Sequence, residues 1–166
     1  LLVRKFDITL FFYNPNIHPY QEYKRRLDTL KDFSVRVGLD VLYRDDYDLD
    51  GFLLRVAGKG AMRCEQCYRM RLNAAGEAAA RGRFSAFTTT LLYSKQQKHD
   101  LIRGVAQEMA TEHRVEFYYE DFRQGWREGI VESKAMGLYR QQYCGCIYSE
   151  KERYLIHALQ QNSHAR

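Results

Sequence analysis

Two short stretches hold every cysteine of this chain: MRCEQCYRM at 62–70 and YRQQYCGCIYSEKERY at 139–154. Cys64 and Cys67 form a Cys-x-x-Cys, and Cys144 and Cys146 a Cys-x-Cys around Gly145. At a helix start, the first spacing lets two thiolates point to one centre, where backbone N–H groups and the helix dipole favour their negative charge. In the second, Gly145 admits backbone angles other residues resist, so both sulfurs can turn inward. Four thiolates suit structural zinc or an iron–sulfur cluster. Inert buried thiols are the plain alternative, but two clustered pairs and no other cysteine favour metal or redox chemistry. Zinc ribbons keep their pairs close together in small hairpins. Here a long stretch of chain separates Cys67 from Cys144, so the fold must bring the pairs together. The tyrosines and charges around Cys144 suit an active-site pocket better than a peripheral staple. A thioredoxin-like motif is disfavoured, because its Cys-x-x-Cys follows the first strand of the domain.

Carboxylates that could complete such a site are Asp121, in EDFR, and Asp45 or Asp46, in YRDDYD. Asp121 is preferred because Arg123 can orient it, although Arg123 could instead clamp a phosphate. Capping of the next helix explains Asp121 equally well. Tyr139, Tyr143 and Tyr148 flank the second cysteine pair; each can donate a proton, and each can equally pack as a half-polar core residue. Tyr139 joins Asp121 as a catalytic candidate. His18 and His99 are expected in loops after strands, where a histidine can supply a proton near neutral pH or simply be solvated.

Alternating strands and helices must position these groups. FDITLFFYN (6–14) reads as a strand closed by a Pro turn. In the helix that follows, Tyr20, Tyr23, Leu27, Leu30 and Phe33 fall on one face, with Pro19 suited to its first turn. LDVLYRD (39–45) is a second strand, and a short helix and a Gly-rich turn lead to the helix that begins at Cys64 and stops at Gly82. FSAFTTTLLYS (84–94) is the clearest strand. KHDLIRGVAQEMATEH is helical, VEFYYEDF (115–122) a strand, and GWREGIVESKAMG and SEKERYLIHALQQ (149–161) helices. The order is that of βαβ units: an α/β fold with a parallel sheet flanked by helices, whose ligands gather at the carboxyl ends of the strands.

The bulk properties are compatible. At 166 residues one α/β domain over 1–166 is expected. No apolar run has the roughly 20 residues a membrane helix needs and no leader pattern is visible, so no membrane partner and a cytoplasmic location are expected; there, structural disulfides are rare. A net charge of +5 permits a polyanionic partner without requiring one. The chain opens on LL followed directly by VRK, an apolar pair meeting a charged segment with no turn between them.

Taken together, RCEQCYRMRL, FTTTLLYSKQQKHDLI, FYYEDFRQGWREGI, SKAMGLYRQQYCGCIYSE and FFYNPNIHPYQEYKRR resemble the cobalamin-independent epoxyqueuosine reductase family, from about residue 6 to about residue 154. The resemblance implies a nucleotide α-hydrolase-like (Rossmann-like) fold and reduction of epoxyqueuosine to queuosine at the wobble position of tRNA. It implies a 4Fe-4S cluster with a second mononuclear metal, iron or zinc, close by, and Cys64, Cys67, Cys144 and Cys146 as metal ligands. An electron donor, whose identity the sequence does not give, is required. The family's further cysteine motif, of the form Cys-Cys-x-Pro-Cys, is absent, which leads us to expect a missing segment between Leu2 and Val3. For the RNA, Arg69, Arg123, Arg140 and His18 are the expected contacts, since basic groups beside aromatics suit a splayed-out base; the Lys24-Arg25-Arg26 run reads more readily as a solvated helix face. Two rivals stand beside this reading. One is a zinc-stabilised nucleic-acid-binding module without catalysis. The other is a nucleotide-binding enzyme of the same class, disfavoured because NPNIHP is not a Gly-rich phosphate loop.

Overall fold

The computed structural model describes residues 2–163. Its elements are Leu10–Phe12 (β1), Tyr20–Val37 (α1), Val41–Tyr43 (β2), Leu49–Val56 (α2), Arg63–Arg81 (α3), Ala86–Phe87 (β3), His99–His113 (α4), Glu116–Phe117 (β4), Trp126–Ala135 (α5) and Ile147–Ser163 (α6). They fall into two compact units. The first contains the chain up to Leu49 and from Gly137 onward; the second is Asp50–Met136.

In the first unit β1 and β2 pair in parallel, with Leu10 opposite Val41 and Phe12 opposite Tyr43, and α1 is the crossover between them. Pro19, in extended backbone, stands at the N-cap of α1, and Gly38 closes it at φ 68°, returning its N–H to Ser34. That left-handed cap is cheap only for a residue without Cβ. Phe12, Ile17, Tyr23 and Leu27 form the core, with Leu30 and Tyr47 against it. Tyr20 was expected on the buried face but is largely exposed; it meets Tyr47 edge-on instead.

In the second unit β3 and β4 pair in parallel around α4, with Ala86 opposite Glu116 and Phe87 opposite Phe117. The core joins Tyr68 and Leu72 of α3 to Leu91, Leu92, Ile102, Val105 and Ala106. Leu92 and Ile102 are fully buried, each such side chain contributing about 1.5–3 kcal/mol. Helices α3 and α4 approach closely at Gly76, where a Cβ would lie 2.7 Å from the His113 ring.

The α/β class and the parallel pairing agree with the sequence, but the strands are shorter than expected and pair two by two. Of 84–94, only Ala86–Phe87 is strand, and Thr90–Tyr93 is a 3-10 turn. The Thr89 hydroxyl accepts the N–H of Leu91 at 3.2 Å, a local bond that competes with the strand ladder. Asp121 does the same after β4, accepting the Arg123 N–H and opening the turn Phe122–Gly125. Among the described residues, no helix is long and apolar enough to cross a membrane.

Candidate functional site

A helix that connects two parallel strands runs back against them, so its N-terminus lies at their carboxyl ends. In the second unit this places the start of α4 beyond β3 and β4. The start of α3 is tied to the same end. The Tyr68 hydroxyl donates to Gln97 Oε1 at 2.7 Å and accepts from the Lys98 N–H at 3.3 Å, while Lys98 Nζ donates to the Ala61 carbonyl at 3.1 Å. Cys64 lies in the first turn of α3 and Cys67 at the start of the second, three residues apart and therefore on one helix face. Cys67 is buried, and Cys64 packs, partly buried, against the core of this unit.

Around this end stand three more of the residues singled out. His99 is buried, not solvated, and is the first residue of α4. Its Nε2 lies 3.1 Å from the Tyr119 hydroxyl, and Arg103 sits over the Tyr119 ring at 4.5 Å. Asp121 and Arg123 form a two-pronged ion pair, Nε to Oδ1 at 2.8 Å and Nη2 to Oδ2 at 2.6 Å. Arg123 thereby holds the Asp121 carboxyl down at about 2. The orientation of Asp121 by Arg123 is as the sequence suggested, and so is its capping role; the two coexist. Arg69 lies two residues beyond the first cysteine pair but is engaged by Glu65 at 3.1 Å and Glu108 at 2.7 Å.

In the first unit the second cysteine pair also meets the carboxyl end of a parallel strand pair. The loop after β1 receives it: the His18 N–H donates to the Gly145 carbonyl at 2.8 Å, and the Tyr143 hydroxyl donates to the His18 carbonyl at 2.6 Å. Gly145 adopts φ 137°, with Asn16, Ile17 and Arg26 crowding the place of a Cβ. Cys146 immediately precedes α6, and its sulfur accepts the Ser149 N–H at 3.4 Å, in the manner of an N-cap side chain. Each cysteine pair therefore meets a helix N-terminus, where anionic sulfur is favoured.

His18, expected at the RNA, is buried, and its Nδ1 lies 3.3 Å from the Tyr47 hydroxyl. Tyr139, expected to be catalytic, donates its phenol to Glu22 at 2.7 Å and lies under the Arg25 guanidinium. Arg140 is exposed. Arg26, which the sequence grouped with a solvated basic run, is mostly buried instead. It donates to Glu22 Oε1 at 2.7 Å, to Gln141 Oε1 at 2.6 Å, and to the carbonyls of Tyr143 and Cys144 at 3.0 Å each. The available signal was its spacing: Glu22 and Arg26 are an i,i+4 pair flanking the buried Tyr23.

All four cysteines lie outside disulfides. Each pair offers soft donors suited to a metal: two sulfurs one helical turn apart at the start of α3, and, in the other unit, two either side of a glycine at the start of α6. Among the described residues, no group of three or more His, Cys, Asp or Glu gathers to hold an ion, so the structure gives two pairs rather than a complete ligand shell.

Comparison with known proteins decides the family. The family model for Epoxyqueuosine reductase QueH matches residues 1–152. The chain belongs to this family. A relative from Dehalococcoides mccartyi, named epoxyqueuosine reductase QueH, is 35% identical over 149 residues, covering 90% of this chain and 82% of the relative. The Thermotoga maritima protein of the same name is 33% identical over 162 residues, covering 92% and 84%. The Helicobacter pylori protein, also so named, is 36% identical over 153 residues and extends well beyond the match, which spans 41% of it. The family span includes both cysteine pairs, Asp121, Arg123, Tyr139 and Arg140.

Proposed function

We propose that this protein reduces epoxyqueuosine to queuosine at the wobble position of tRNA, using Cys64, Cys67, Cys144 and Cys146 as ligands of a 4Fe-4S cluster and a neighbouring mononuclear iron or zinc. One observation carries the proposal beyond family membership: each cysteine pair meets a helix N-terminus at the carboxyl end of a parallel strand pair. That is where α/β folds collect their chemistry. We further read the chain as one nucleotide α-hydrolase-like, Rossmann-like domain over 1–166, acting in the cytoplasm.

The reaction removes the epoxide oxygen as water, breaking both of its C–O bonds, and consumes two electrons and two protons. When bound, the metal centres supply the electrons, received from a separate donor, and a Lewis-acidic position for the oxygen. The chain's own groups divide the remaining tasks. Asp121 stays ionised at neutral pH, so it can hold a cation or accept a proton but has none to give. Tyr139 keeps its proton through burial and its bond to Glu22, which both raise its pKa. Arg140, exposed beside the second cysteine pair, is suited to a phosphate of the RNA, and Arg69 and Arg123 would reach it only beyond their present carboxylate partners.

The test is anaerobic purification with iron, sulfide and zinc measured together, followed by incubation of tRNA carrying epoxyqueuosine with a reductant and analysis of the released nucleosides. Queuosine should form, and Cys67→Ala and Cys144→Ala should each lose cluster and turnover together. A colourless zinc protein that forms no queuosine would overturn the proposal.

A further inference from the structure

Arg26 is a cation of the first unit for which nothing in the reaction calls. Its guanidinium reaches two side-chain acceptors, Glu22 and Gln141, and two backbone carbonyls, those of Tyr143 and Cys144. The plane also lies over the Tyr143 ring at 5.6 Å. Glu22 in turn receives the Tyr139 phenol through its second oxygen. One turn of α1 thus holds the segment 139–144 at Tyr139, Gln141, Tyr143 and Cys144.

The same loop is bound by His18, whose N–H donates to the Gly145 carbonyl and whose carbonyl accepts from the Tyr143 phenol, but Arg26 is the side chain that reaches the carbonyls of Tyr143 and Cys144. Gly145, at φ 137° with Asn16, Ile17 and Arg26 close about it, lets the chain turn between the two cysteines. Past it, Cys146 is fixed by Ser149 at the start of α6. Cys144 is therefore set from one side by Arg26 and Cys146 from the other by α6, with the glycine as the joint between them. The planar fork of arginine fits this task, because it can donate to several carbonyls in one plane at once. A lysine can meet one or two of them.

We propose that Arg26 is a positioning residue that presents the thiols of Cys144 and Cys146 in their metal-binding arrangement before any metal arrives. This rests on the reading of those cysteines as ligands, but its test is independent of turnover. In the full-length chain, made metal-free and kept reduced, the alkylation rate of each cysteine is followed separately by peptide mass spectrometry, with Cys64 and Cys67 of the second unit as internal controls.

Arg26→Ala should raise the rates at Cys144 and Cys146 about tenfold, the factor one charge-assisted hydrogen bond is worth, and leave Cys64 and Cys67 unchanged. Methylguanidinium added to Arg26→Ala should bring the two rates back toward wild type. Arg26→Lys, which keeps the charge and the fold, should fall between. Unchanged rates at Cys144 and Cys146 in both variants would overturn the proposal. So would an equal rise at all four cysteines, which marks general loosening. If the wild-type chain takes up no iron, the functional reading fails while the alkylation pattern still decides the role of Arg26.

Discussion

The phenol of Tyr143 donates to the backbone carbonyl of His18 at 2.6 Å, joining residues on either side of the first unit's sequence gap. Two residues later, the Gly145 carbonyl accepts the His18 N–H at 2.8 Å. His18 thus binds the cysteine loop through both of its backbone groups, which ties the loop after β1 to Cys144 and Cys146.

Tyr143→Phe should lower stability by about 1 kcal/mol, the net worth of one such bond. Burial first, and then the negative charge of Glu22, push the Tyr143 phenol up to about 12. A phenol whose pKa is raised by folding stabilises fully below its unfolded value near 10, and the stabilisation fades as pH rises through the folded value. Urea midpoints of wild type and variant should therefore differ by a constant amount at neutral pH and converge between about pH 10 and pH 12. A difference that persisted at the top of that range would show that the hydroxyl does not carry the effect.

Gly145→Ala should be more damaging than its size suggests. The new methyl would have to adopt φ 137° and would lie 3.0 Å from Ile17 Cγ1, 3.1 Å from Asn16 Nδ2 and 3.2 Å from Arg26 Nη1. Backbone strain of this kind costs about 1–3 kcal/mol. Relief requires the loop to move off Arg26, so the variant should lose metal uptake together with stability. Thermal unfolding and iron content measured on one preparation check both, and retention of full iron with a lowered Tm would separate the two effects.

Much of this site was open to reading in the sequence, for physical reasons that differ by residue. The cysteine pairs stood out because thiols are rare and their spacing follows from helix and glycine geometry. The helix start at Cys64 and the left-handed need at Gly145 are local properties, and both are found. The strand at 84–94 was overread because β-propensity cannot see that the Thr89 hydroxyl will cap a turn. Arg26 and His99 were misplaced because burial of a polar side chain depends on distant partners: Gln141 and Cys144 for one, Tyr119 for the other. Nothing near Arg26 in the chain announces a carbonyl more than a hundred residues away.

Asp121→Asn tests the role of the second unit's carboxylate. The hydrogen bonds from Arg123 hold Asp121 at about 2, below its ordinary value of 3.8. A carboxyl depressed by folding contributes stability above its unfolded value, and this is lost as pH falls through the folded one. Between pH 5 and 9, roughly, Asp121 does not titrate at all. The variant should then lower kcat without moving the acid limb of the pH–rate profile. An acid limb displaced by Asp121→Asn would assign the titration to this carboxyl and contradict the pairing seen here.

Arg140 and Arg69 were both expected to touch RNA, and their surroundings now separate them. Arg69 is shared between Glu65 and Glu108, so its charge is already balanced and its release of a counterion from RNA should be small. Arg140 is exposed and stands four residues before Cys144. For each phosphate a protein neutralises, the slope of log K against log salt steepens by roughly 0.7–0.9. Arg140→Ala should therefore make the slope for an anticodon stem-loop shallower by nearly one, weakening binding most at low salt, whereas Arg69→Ala should leave the slope close to wild type. Titrations at several salt concentrations, without reductant so that no turnover occurs, give both slopes. The reverse order would mean that Arg69 leaves its two glutamates when RNA binds, and would move the RNA contact to the start of α3.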